Sequence, residues 1–94
     1  MKLIAEQPYF KVERQVKSLE QKDVEDPRTL YLYEDKVVTK HREFAIQDVL
    51  DMSYRFIGGR GGLLYLHTIK GVFSYNVKTS PEAFVQAYRR HFKP

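Results

Sequence analysis

Cysteine is absent from these 94 residues, and with it any disulfide framework or thiolate metal site. Tryptophan is absent too. Glycine is scarce: four of the five stand within one run, FIGGRGGLLYLHT at 56–68. No apolar stretch approaches the roughly 18–20 residues of a membrane-spanning helix. The opening MKLIAEQPYF offers only Leu3–Ala5 before Glu6 and Pro8, which is no signal-peptide core, so a cytoplasmic protein is expected. There is no internal repeat and no low-complexity segment. The length suits a single domain over 1–94 with one core.

What is present is ordinary for a folded chain, 43% hydrophobic and 30% charged. The formal net charge of +4 would suit an anionic partner, but the bases are scattered. The tightest groups are Lys40-His41-Arg42 and Arg89-Arg90-His91 with Lys93, and a solvated surface accounts for most of them.

Tyrosine, phenylalanine and valine dominate the chain, and alternation predicts about seven antiparallel strands. Residues 8–20 alternate, with Phe10, Val12 and Val16 facing in and Arg14 as the exception. A helix over 13–25 is the competing reading. QKDVEDPR at 21–28 reads as a loop. Strands are then expected at 28–33 and 36–40 around a Glu34-Asp35 turn, with Leu30 and Leu32 facing in. Further strands fall at 44–46, 49–57, 62–69 and 72–77, with Leu50, Met52, Tyr54 and Phe56 on one face and a turn at Lys70-Gly71. The last segment, 80–92, predicts an amphipathic helix. Ser80 is its cap, Pro81 and Glu82 open it, Phe84, Ala87, Tyr88, His91 and Phe92 form its stripe, and Arg89 and Arg90 lie at its negative end.

Segments FAIQDVLDMSYRF, LLYLHTIKGVFSYNV and SPEAFVQAYRRHF resemble those of small bacterial pleckstrin-homology-like (PH-like) domain proteins. The resemblance implies a mainly β fold, a sandwich or partly open barrel of about seven antiparallel strands capped by one C-terminal amphipathic α-helix. It also implies rings or dimers. The basic first hairpin of the lipid-binding members is missing: QVKSLEQKDVEDPR mixes Lys17, Lys22 and Arg28 with four acids.

Neither an enzyme nor a cofactor is expected. His41, His67 and His91 lack metal-ligand spacing, no serine sits in a nucleophile elbow, and His67 reads as a satisfied, half-buried imidazole. GGRGG fails both phosphate-loop patterns, because Leu64 stands where the third glycine of one should be and Leu63-Leu64 where the Gly-Lys of the other should be. It marks a hairpin tip, with Arg60 as a weak contact for an anion.

The expected function is that of a non-catalytic interaction module for a protein or peptide, a homo-oligomer included, with no small-molecule substrate. The expected groove lies between the fifth strand (Asp51, Ser53, Arg55, Phe56) and the helix (Gln86, Arg89, Arg90), and its positive charge suits an acidic peptide. The alternative is weak binding of an anionic membrane or, less expected, nucleic acid through Lys36, Lys40, Arg42, Arg60 and Lys70.

Overall fold

A computed structural model describes residues 2–17 and 20–92, without the side chains of 13–17, 20–23 and 60. Seven strands precede one helix: β1 (Leu3–Lys17), β2 (Glu20–Tyr33), β3 (Lys36–Val38), β4 (Glu43–Ala45), β5 (Val49–Phe56), β6 (Gly62–Thr68), β7 (Gly71–Val77) and α1 (Glu82–Phe92). They form one antiparallel sheet in the order β4-β3-β2-β1-β7-β6-β5. β4 and β5 are neighbours in the chain but lie at opposite edges of the sheet. The three residues Ile46–Asp48 that join them span at most about 10 Å. The sheet must therefore curl until its edges approach, as a partly open barrel. Ile46 N–H donates to Asp35 O at 2.8 Å and Ile69 N–H to Asp48 O at 3.0 Å, which fasten the link at both ends.

Leu30, Leu32, Val37, Met52, Leu64 and Leu66 are fully buried along the concave face. Helix α1 packs on β5 and β1 and adds Phe84, Val85 and Tyr88 to the same core. Glu82 N–H donates to Ser80 Oγ at 3.3 Å, which is the expected cap. The stripe itself differs from expectation: Val85 is buried and His91 exposed. Burial centres on Phe84, Val85 and Tyr88, since α1 sits in the angle between β5 and β1. Among the described residues no helix is long and apolar enough to cross a membrane.

Three further expectations change. QKDVEDPR is strand, not loop, and residues 13–17 and 20–25 are strand, not helix; Ser18 and Leu19 lie outside the described residues. The register sets Lys11 opposite Asp26, a pairing of opposite signs that favours this alignment. Proline does not interrupt it. Phe10 faces Pro27 and Thr29 faces Pro8, all at one parity, where an antiparallel pair exchanges no ladder bonds.

Second, the core face of β1 carries buried Gln7 and Tyr9, while Phe10 is half-buried and Val12 exposed. Gln7 is satisfied there: its Nε2 donates to Thr79 Oγ1 at 3.3 Å and to Pro8 O at 3.1 Å. Third, Leu50 is exposed and Val49 buried, because an irregularity between Val49 and Asp51 shifts the register by one residue.

Among the described residues β1 pairs with β7 only at Phe10–Asn76, and β2 with β3 only at Tyr31–Val38 and Leu32–Val37. Beyond Lys11 the β1–β2 pair therefore runs on as a two-stranded ribbon for about 24 Å. That ribbon explains overall dimensions of 53 × 27 × 24 Å.

Candidate functional site

Strand β5 is one edge of the sheet. Ile57 N–H donates to Gly61 O at 2.9 Å, so alternation turns the backbone of Arg55, Ser53 and Asp51 toward β6. Met52, Tyr54 and Phe56 direct their N–H and C=O outward. Helix α1 occupies the first half of this edge. Tyr88 Oη donates to Val49 O at 3.1 Å, and Arg89 Nη2 donates to Met52 O at 2.9 Å. Burial raises the Tyr88 hydroxyl above the usual phenol range. Arg89 Nε also lies 3.8 Å from Asp51 Oδ1, an ion-pair distance too long for a hydrogen bond. The outward groups of Tyr54 and Phe56 have no partner among the described residues.

The expected groove residues are thus only partly brought together. Arg89 closes the edge instead of lining an open slot. Arg55 is exposed and Phe56 half-buried beside the free half, and Gln86 is exposed one turn before Arg89 on α1. Arg90, also exposed, points about 100° further round the helix. Lys70 lies in the β6–β7 turn at the far end of the hairpin, roughly 20 Å from Arg55. The side chain of Arg60 lies outside the described residues.

Of the bases in the alternative reading, Lys36 pairs with Glu43 at 3.0 Å and Lys40 with Asp26 at 3.3 Å. The Arg42 guanidinium rests 4.9 Å over the Phe73 ring. Hydrogen bonds from Arg28 and then Lys40 hold the Asp26 carboxyl below its ordinary range.

His67 Nε2 and Ser53 Oγ are 2.7 Å apart on the outer face of the β5–β6 pair, so the imidazole has the partner expected for it. Asp51 faces His67 in register, yet its near neighbour is Arg89. Backbone alternation commits the amides of Asp51 and Ser53 to the β6 ladder.

A second feature gave no sequence signal, because it depends on two strands parting. A cleft of about 550 Å³ opens between β1 and β7 beyond Phe10–Asn76, beneath the β3–β4 turn. Lys11, His41 and Arg42 border it, with Arg28 held by Asp26 at 2.9 Å. Its floor is Tyr9, packed edge-on against Tyr75 with ring centroids 5.1 Å apart.

Burial is the main cause that pushes the Tyr75 hydroxyl up to about 12. Its ordinary value is about 10, so its contribution to stability is complete below pH 10 and is lost as the pH rises through 12. Over that interval stability is expected to fall, by less than a fully buried phenol would cause because solvent screens the half-buried ring. Tyr75→Phe should flatten the slope in urea titrations; an unchanged slope would assign the loss to other tyrosines.

Compared with family models, with curated proteins and with solved structures, the chain matches none of them.

Proposed function

We propose that this chain is a non-catalytic interaction module of the PH-like type, which receives an extended segment of a protein partner on the free half of the β5 edge. One observation carries the reading: among the described residues, the outward N–H and C=O groups of Tyr54 and Phe56 stand without partners beside α1. Unpaired edge groups gain a hydrogen-bond ladder when a strand is added. The strand order, with the two outer edges tied by a three-residue link and one closing helix, supports the PH-like assignment. Arg55 and Gln86 flank the added strand and favour acidic side chains on it.

A second copy of the chain is the simplest partner to test. On this reading, sedimentation velocity from micromolar to millimolar concentration shows self-association. Amide exchange at Tyr54 and Phe56 slows at least tenfold in the associated state. A monomer throughout, with unchanged exchange at both amides, removes self-association. If a photo-crosslinker placed at Arg55 also captures no protein in cells, the reading fails.

A further inference from the structure

The cleft between β1 and β7 is a split in the sheet, and its two walls are strand edges. Pairing of Phe10 with Asn76 turns both residues toward each other across β1 and β7. Alternation then directs the backbone of Val12, Arg14 and Val16 on β1, and of Ser74 and Val72 on β7, into the gap. Had the strands stayed together, Val12 would face Ser74 and Arg14 would face Val72. They part instead, and among the described residues neither Val12 nor Ser74 forms a backbone bond across the gap. Val12 is an apolar residue 46% exposed beside the gap.

The two faces of the split differ in chemistry. Lys11 lies on one side with Tyr75 and Phe73, under His41 and Arg42, and no carboxylate is among the described residues that line the cleft. Phe10 and Val12 lie on the other. A strand inserted here would present alternate residues to each side, one set to cations and one set to apolar surface.

We infer that the split between β1 and β7 is a second strand-acceptor site, which takes an extended peptide of alternating acidic and apolar residues and pairs it with Val12 and Ser74. A peptide fits better than a phosphate ligand, because only a backbone satisfies both edge N–H and C=O groups at strand spacing. This site is separate from the β5 edge, so either can fail alone.

The probe is an acetylated, amidated octapeptide alternating Val and Glu, labelled for fluorescence anisotropy and added to the full chain. Binding is expected, with exchange at the Val12 and Ser74 amides slowed at least tenfold. The counterpart alternating Val and Lys should bind at least tenfold more weakly. Val12→Pro removes one inward-facing N–H without touching the β2 ladder and should weaken binding at least tenfold, whereas Val12→Thr should stay within twofold. If circular dichroism shows Val12→Pro unfolded, Ser74→Pro makes the same test from β7, where the residue is exposed.

Four results overturn the inference: no binding of the Val-Glu peptide, equal binding of the Val-Lys peptide, indifference to the proline variants, or displacement by inositol hexakisphosphate with the same protected amides. Protection confined to Tyr54 and Phe56 also overturns it while supporting the β5 reading.

Discussion

Gly62→Ala should lower the unfolding free energy by about 3 kcal/mol, the upper end of the cost of overpacking. A Cβ there would lie 2.1 Å from Arg55 O and 2.7 Å from Phe56 Cα. Both are backbone atoms of the paired strand, so relief requires the β5–β6 hairpin itself to open. Gly61→Ala should cost a similar amount by a different route. Its φ of +77° disfavours a side chain, and a Cβ would meet Val77 O at 2.4 Å. Gly58, with φ of +57° and open space around it, should cost about 1 kcal/mol as alanine. Gly59→Ala should be nearly neutral, within about 0.5 kcal/mol, since nothing lies within 4 Å and its φ is not positive. Urea midpoints for the four variants test the ranking. A Gly59 variant as damaged as the Gly62 variant would show that the tip, not the close strand approach, sets the requirement.

Phe84→Ala is the second large effect, about 3–5 kcal/mol, as for other buried phenylalanines. Phe84 is 1% exposed at the centre of the contact between α1 and the sheet. A loss of that size is a large share of the roughly 5–15 kcal/mol that stabilises a small domain. The melting temperature should drop by at least about 12 °C. Detachment of α1 would also withdraw Tyr88 and Arg89 from Val49 O and Met52 O, leaving the whole β5 edge unpaired. The variant should therefore aggregate during thermal melts monitored by light scattering, whereas Phe84→Leu should melt closer to the parent and remain clear.

Much of the architecture was legible in the sequence, for identifiable reasons. Alternation across TLYLY placed Leu30 and Leu32 correctly, because the strand has one wet and one dry face. Ser80-Pro81-Glu82 announced the helix through its capping chemistry. The 21–28 segment misled because its strand is held by register with β1, a non-local fact, and because a proline at the right parity costs nothing. Leu50 misled because one extra residue flips every face before it. The site was harder still. That Arg89 would bond Met52 O depends on how α1 lies on β5, and the parting of β1 from β7 depends on twist accumulated across the sheet. Neither leaves a mark at the level of residue spacing.

The tie between Gln7 and Thr79 joins residues 72 apart in the chain. Hairpins β2–β3, β5–β6 and β6–β7 close over short loops and cost little entropy to nucleate. The pairing of β1 with β7 and its packing against α1 require nearly the whole chain to be threaded into place. Contacts of such separation slow folding, and they form after the local ones. The kinetic bottleneck of this molecule thus lies at β1, and an intermediate with β5–β7 formed but β1 undocked would show the edge of β7 to solvent.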